Sequence, residues 1–342
     1  MKAILNTKIS DRVAKGHPWV YNNEINSVDS KAKPGNIVEV YNSKGNFIGR
    51  GFYNPASQIQ IRLLSRDLAE EINEDFFYNK ILDCWRYKSK IGYVENCRLV
   101  FGEADGLPSL IIDKFNDYFV IQTMSLGMDV WKDAIVKSLT KIFSPRGIYE
   151  RNDVPVREIE GLEQKKGFLS EPFETEIIIQ ENGLQFIVDV DKGQKTGYFL
   201  DQRDNRRQIQ HIVKDAEVLE AFCYTGTFGI HAAHYGAKKV LGLDISDFAI
   251  ETAKRNAALN GLDSVCEFQS VNAFDTLKQW SKEDKKWDVV MLDPPAFTKS
   301  RANIQKAIAG YKEINLRAMK LVRKGGFLVT ASCTNLVSPE VF

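Results

Sequence analysis

The chain has 342 residues, of which 44% are hydrophobic and 27% charged, with a formal net charge of +1. That length exceeds what one core serves and predicts two or three domains of ordinary globular composition. The near-neutral balance excludes a chain-wide nucleic-acid footprint, so any RNA-binding surface must be local.

No stretch approaches the roughly 20 apolar residues of a membrane span, and the opening MKAILNTKISDR lacks the apolar core of a signal peptide. The five cysteines, Cys84, Cys97, Cys223, Cys266 and Cys333, form no CxxC and no Cys/His cluster. This argues against a metal site or a disulfide framework and for a reducing cytoplasm.

Residues 1–67 read as a small β domain. IVEVYNSKGNFIGRGFYNP and QIQIRLLS alternate apolar and polar residues, with turns at Ser43-Lys44-Gly45 and Asn54-Pro55. Lys2, Lys8, Arg12, Lys15, Arg50, Arg62 and Arg66 fall among Trp19, Tyr21, Phe52 and Tyr53. That mixture suits RNA backbone contact and base stacking; the competing reading is a solvated β-barrel with aromatic core residues. Arg12, Lys15 and, farther along, Arg206 are the candidate RNA contacts.

A helix is predicted over 68–93 from the spacing of Ile72, Phe76, Phe77, Ile81 and Trp85. Strands over 97–101, 110–114 and 118–123, a helix over 130–143 and a strand over 147–151 follow. This central α+β unit, 68–180, holds no constellation of catalytic residues.

A strand pair, 174–180 and 184–189, leads to DVDKGQKTGYFLDQRDNRRQI, where Asp201, Gln202, Arg203 and Arg206 crowd ahead of the next strand. Such density predicts a loop that closes over a ligand, against the alternative of a charged helix N-terminus. VLEAFCYTGTFG then gives a buried strand over 218–222, a turn at Tyr224-Thr225-Gly226-Thr227 and a helix over 228–235. Strand, glycine turn and helix form the entry to a nucleotide-type pocket, in which the glycine lets a ligand approach backbone at the helix N-terminus.

KVLGLDIS supplies the next strand and places Asp244 where a carboxylate grips a ribose diol. An alanine-rich helix over 248–260 and a strand over 265–269 bring Asn272 to the strand's carboxyl end. The charged run from Trp280 to Trp287 reads as a solvated connection. WDVVMLDPPAF is a buried strand, 289–292, ending in Asp293-Pro294-Pro295, whose prolines lie outside the sheet. They hold Asp293 as a hydrogen-bond acceptor for a planar, amine-bearing substrate. A helix over 303–323, a turn at Gly325-Gly326 and a strand over 327–332 deliver Cys333. Gly226, Asp244, Asn272 and Asp293 therefore share one rim of a parallel sheet, where open α/β folds bind ligands.

KTGYFLDQRDNR, FCYTGTFG, GLDIS, LDPPAF and ASCTN together resemble the class I S-adenosylmethionine-dependent methyltransferases. More narrowly, the chain resembles the RlmI-type 23S rRNA methyltransferases, which modify cytosine at C5. The resemblance covers nearly the whole chain. It implies a PUA domain at 1–67, a central α+β domain at 68–180 and a Rossmann-like methyltransferase domain at 181–342, an α/β fold overall.

It further implies S-adenosyl-L-methionine as cofactor, 23S rRNA or a precursor of the large ribosomal subunit as partner, and neither membrane nor metal. Gln202, Arg203, Phe222, Tyr224, Thr225, Gly226, Asp244, Ile245, Asn272, Ala273 and Asp293 would line the cofactor. Asp293 would also face the target base, and Cys333 would be the nucleophile, with Cys223 packing under the cofactor. Asn272 stands where such enzymes commonly have Asp. The chain stops at Phe342, where this class continues through another helix and an antiparallel hairpin. A truncated chain is therefore expected, with five strands and an uncovered edge that leaves room for a homodimer.

Two other functions remain open on these residues. One is a methyltransferase acting on guanine N7 or an exocyclic amine, for which Cys333 is the discriminator. The other is a non-catalytic RNA-binding or ribosome-assembly factor. A nicotinamide-dependent oxidoreductase shares the sheet order, but FCYTGTFG lacks the GxGxxG spacing.

Overall fold

The computed structural model describes residues 1–6 and 10–342, so Lys8 lies outside the described residues. It divides into two compact units, residues 1–179 with 188–200, and residues 180–187 with 201–342.

The first unit opens with β1 (Lys2–Leu5), α1 (Ser10–Ala14), β2 (Trp19–Val20), β3 (Ile25–Val28), β4 (Ile37–Tyr41), β5 (Phe47–Tyr53) and β6 (Ile61–Ser65). The strands form a six-stranded sheet in the order β2–β6–β5–β4–β1–β3. Alternation drives the burial: Val38 and Val40 of β4 are buried in a core with Leu5, Val20, Ile61 and Leu63. Gly51 marks a close crossing, since a Cβ there would lie 2.0 Å from the carbonyl oxygen of Arg62.

A second sheet follows. α2 (Glu74–Lys90) begins later than its apolar spacing predicts because Asn73 caps it, accepting from the Phe76 N–H. Next come β7 (Asn96–Phe101), β8 (Leu110–Phe115), β9 (Tyr118–Thr123), α3 (Leu126–Val130), α4 (Lys132–Phe143), β10 (Gly147–Asn152), α5 (Val156–Ile159) and β11 (Lys165–Phe168). The sheet order is β11–β10–β9–β8–β7. The helix expected over 130–143 is α4, and the short α3, which the sequence reading did not separate out, precedes it and ends at Trp131.

Buried Glu160 ties the two sheets of this unit together. It accepts from Arg62 at 2.9 Å, Ser57 at 2.5 Å and Asn54 at 3.0 Å. Arg62, one of the basic residues scattered through the N-terminal β domain, is therefore a buried structural cation.

β12 (Glu176–Glu181) and β13 (Leu184–Asp189) form a two-stranded hairpin. The chain crosses between the units more than once around 181, because residues 180–187 belong to the second unit and 188–200 return to the first. Arg151 donates to the carbonyls of Val190 and Gly193, and Thr196 donates to Asp113 at 2.6 Å. The DKGQKTGYFL part of the polar loop is thus held by hydrogen bonds of the first unit, and the second resumes at Asp201.

The second unit comprises α6 (Arg203–Gln208), β14 (Glu217–Ala221), α7 (Thr227–His234), β15 (Lys239–Asp244), α8 (Asp247–Leu259), β16 (Cys266–Ser270), α9 (Ala273–Trp280), β17 (Trp287–Leu292), α10 (Ile304–Leu321) and β18 (Val322–Thr330). Its five strands are parallel in the order β16–β15–β14–β17–β18. The winding of the sheet reverses between β14 and β17, the crevice where doubly wound sheets bind ligands.

β14, central in the sheet, is an apolar run apart from its glutamates, as burial on both faces requires. β18 starts earlier than expected. Its register jumps from Val322 opposite Trp287 to Phe327 opposite Val289, so Gly325 and Gly326 sit in an irregularity within the strand. Among the described residues, no helix is long and apolar enough to cross a membrane.

Candidate functional site

The chain leaves β14 through a turn with left-handed backbone at Phe222 (φ 65°), Tyr224 (φ 47°) and Gly226 (φ 74°). For two aromatic residues this conformation costs about 1–3 kcal/mol each, and such strain gathers at ligand sites. Asp244 secures it: one carboxylate oxygen accepts from the Tyr224 N–H at 2.8 Å and the other from the Ser246 N–H at 3.0 Å. One side chain therefore fixes both the turn and the start of α8, while each oxygen keeps a further lone pair.

At Gly226 a Cβ would lie 2.6 Å from the Phe268 ring and 3.0 Å from Ala253, so packing as well as the left-handed backbone demands glycine. The hydroxyl of buried Thr225 has no hydrogen-bond partner, a group that a polar ligand would satisfy.

Next to Asp244, Ile245 stands 73% exposed, an apolar side chain left at the sheet rim. Phe274 is also exposed, its ring 5.0 Å from that of Phe222. Phe274 is not among the residues the sequence singles out; its place two residues after Asn272 is the available signal. Asn272 itself caps α9, its side-chain oxygen accepting from the N–H groups of Phe274 and Asp275 at 3.0 and 3.5 Å. Ala273, expected beside it in the site, is buried in the core of the second unit.

A cavity of about 280 Å³ opens at the reversal of the sheet, lined among others by Gln202, Asn205, Glu220, Phe228, Asp293 and Thr330. Asp293 follows β17 and accepts from Gln202 Nε2 at 3.2 Å. Glu220, beyond the expected site, is buried and accepts from the Gly229 N–H at 2.8 Å. Burial, with the negative charge of Asp293 nearby, pushes its carboxyl up to about 8 against the pull of the Gly229 and Phe228 N–H groups. The Thr330 hydroxyl is buried without a partner, like that of Thr225.

Cys333 lies three residues past the end of β18 and is exposed. Its thiol donates to the carbonyl of Pro294 at 3.3 Å, so the loops after β17 and β18 meet at Asp293-Pro294 and Cys333. Thr334 pins this junction: its hydroxyl accepts from the Phe297 N–H at 3.0 Å and lies 2.8 Å from the Tyr311 hydroxyl. Cys223 is the opposite case, buried, with its thiol raised well above the usual value by desolvation.

The expected RNA contacts separate. Lys15 is exposed. Arg12 donates to Glu24 at 2.7 Å and to the Trp19 carbonyl, serving its own fold. Arg206 is corrected outright: it is fully buried and forms a two-pronged pair with Glu181 at 2.6 and 3.0 Å. Arg203 is half-buried, its carbonyl accepting from Asn182.

His231 lies beside that pair, stacked on Phe186. In the neutral tautomer with the proton on Nδ1, it donates to the Thr227 carbonyl at 2.7 Å and accepts from Asn182 at 3.2 Å. Burial lowers its pKa from 6.5 to about 4. The unfolded chain then takes up this proton near 6.5, but the folded chain does not until about 4. Stability is expected to fall as pH drops through that window, by up to about 3 kcal/mol. Urea unfolding at pH 7 and pH 5 should show the loss, and His231→Gln should flatten it; an equal slope in the variant would refute the assignment.

Comparison with known proteins matches residues 3–66 to a PUA-like domain and residues 163–342 to an S-adenosylmethionine-dependent methyltransferase family. The ribosomal RNA large subunit methyltransferase I of Aliivibrio fischeri (strain MJ11) is 41% identical over 332 residues, 95% of this chain and 84% of the relative. That of Shewanella denitrificans is 42% identical over 336 residues, with the same coverage. Among solved structures, SMU.776, a proposed methyltransferase complexed with SAH, superposes with a TM-score of 0.83 at 18% identity, covering 100% of this chain and 88% of that one. A proposed S-adenosylmethionine-dependent methyltransferase from Streptococcus mutans gives 0.81 at 19% identity with the same coverage.

Proposed function

The chain belongs to the S-adenosylmethionine-dependent methyltransferases, alongside ribosomal RNA large subunit methyltransferase I, and from that premise we propose that it methylates C5 of a cytosine in 23S rRNA through a Cys333 adduct. The coarser activity, S-adenosylmethionine-dependent methylation of large-subunit rRNA, follows from the relatives. The C5 chemistry rests on one observation: the Cys333 thiol meets the Pro294 carbonyl next to Asp293.

The residues present fit the cofactor. Its ammonium and sulfonium charges suit a rim carrying the carboxylates of Asp244 and Asp293, and the partnerless hydroxyls of Thr225 and Thr330 await a polar ligand. Asp244 would hold the ribose hydroxyls with its remaining lone pairs, and Asn272 would meet the adenine edge with its amide nitrogen. Ile245 and Phe274 would flank the purine. When bound, S-adenosyl-L-methionine supplies an electrophilic methyl group.

C5 of cytosine is a poor nucleophile. Addition of the Cys333 thiolate at C6 forms an S–C6 bond and moves electron density to C5. Asp293 accepts from the exocyclic amine and steadies the base during addition. Once C5 is methylated, its proton passes to a base and Sγ departs, restoring the double bond and the thiolate. C6 is inaccessible in a stacked helix, so the nucleotide must be unpaired or flipped out. Phosphate and shape contacts would come from the PUA-like domain, and the protein would work in the cytoplasm.

The test is nucleoside mass spectrometry of unmodified 23S rRNA incubated with the chain and S-adenosyl-L-methionine. 5-Methylcytidine is expected. A methylated guanine would overturn the C5 reading, and no product despite cofactor binding would favour an assembly factor.

A further inference from the structure

The cavity holds a side-chain relay whose direction chemistry decides. Gln202 Nε2 donates to Asp293 Oδ2 at 3.2 Å, and Asn205 Nδ2 donates to Gln202 Oε1 at 2.7 Å. A carboxylate offers only acceptors, so Gln202 must turn its NH₂ toward Asp293. Its carbonyl then faces Asn205, which must turn its own NH₂ toward it. Asn205 sits in α6, and the next residue, Arg206, anchors that helix through the buried pair with Glu181. The far end of the relay is therefore built on a fixed element, and both amides line the same cavity as Asp293.

We propose that Asn205 is a positioning residue for methyl transfer: acting through Gln202, it fixes the rotation of the Asp293 carboxylate and so the direction in which that group meets the amine-bearing edge of the target base. This rests on the reading of Asp293 as the base-binding carboxylate. Catalysis that depends on a defined acceptor direction loses turnover when the acceptor can rotate, even where ligands still bind.

Asn205→Asp tests the direction of the relay, because it keeps the shape and removes the donor. Gln202 would reverse to donate to the new carboxylate and bring its own carbonyl against Asp293. Protonating the introduced carboxyl restores a donor, so the defect should shrink on acidification. Asn205→Ala removes the donor without that remedy.

The experiment uses the full chain, unmodified 23S rRNA and S-adenosyl-L-methionine at saturation. It reads total methyl transfer, nucleoside identity, S-adenosylhomocysteine affinity by calorimetry, and the thermal melt. At pH 8, Asn205→Asp is expected to lose about ten- to a hundredfold in kcat, the range for a hydrogen bond to a charged group. Cofactor affinity should stay within about twofold. The defect should narrow toward pH 5.5, whereas the loss in Asn205→Ala should not.

Turnover within twofold of wild type in both variants, a defect in Asn205→Asp that is constant with pH, or a loss confined to cofactor affinity would each overturn the proposal. The two readings fail separately. A wild-type product other than 5-methylcytidine sinks the C5 chemistry, while total methyl transfer still reports whether Asn205 matters.

Discussion

Cys333→Ala is expected to abolish 5-methylcytidine formation, by about four orders of magnitude or more, as removal of a covalent nucleophile does. S-adenosylhomocysteine affinity should be unchanged, since Asp244, Thr225 and Asn272 lie on other loops of the rim. The argument is positional. Of the five cysteines, Cys333 alone is exposed, and its thiol touches the carbonyl of the DPP segment at 3.3 Å. The thiolate is the reactive form, and Cys223, buried with its thiol held protonated, cannot substitute.

Cys223→Ala is therefore the control, expected to keep turnover within severalfold. RNA carrying 5-fluorocytosine at the target supplies a second readout. Fluorine at C5 leaves no proton to remove, so the adduct persists as a covalent protein–RNA band that Cys333→Ala should lack. Full activity in Cys333→Ala would end the covalent mechanism and leave the fold and cofactor in place.

The parallel sheet was legible because β14, β15 and β17 carry short apolar runs, the last two leading into a distinctive polar residue, as in GLDIS and LDPPAF. What escaped the sequence has physical reasons. Arg206 stands in a run of charged residues, and nothing local reveals that Glu181, 25 residues upstream, folds back to bury it. The sequence marks Gly226 as a turn glycine but not that Phe268 of β16 fills the space a side chain there would need. Glu220 reads as an ordinary strand residue until α7 brings the Gly229 N–H onto its carboxyl. β11 has no apolar alternation and owes its place to pairing with β10. In each case a partner distant in sequence decides, and hydropathy at the site carries no trace of it.

Arg206→Ala should destabilise the second unit by about 3–5 kcal/mol, the usual result of removing one member of a buried ion pair. The guanidinium makes two bonds to Glu181, at 2.6 and 3.0 Å, and lies over the Phe228 ring. Deleting it takes both guanidinium bonds from the buried Glu181 carboxylate, leaving it 3.8 Å from His231, which is neutral in the wild type. A drop of about 10 °C in the melting transition is expected. Arg206→Lys should recover only part of it, because an ammonium cannot reproduce the planar fork. Combining Arg206→Met with Glu181→Gln, which removes both charges, should recover more than Arg206→Lys does. If Arg206 instead served RNA, the alanine variant would melt like wild type and lose only RNA affinity. The two outcomes exclude each other, and the same pair anchors the helix that carries Asn205, so a destabilised Arg206→Ala protein should also lose turnover below its melting transition.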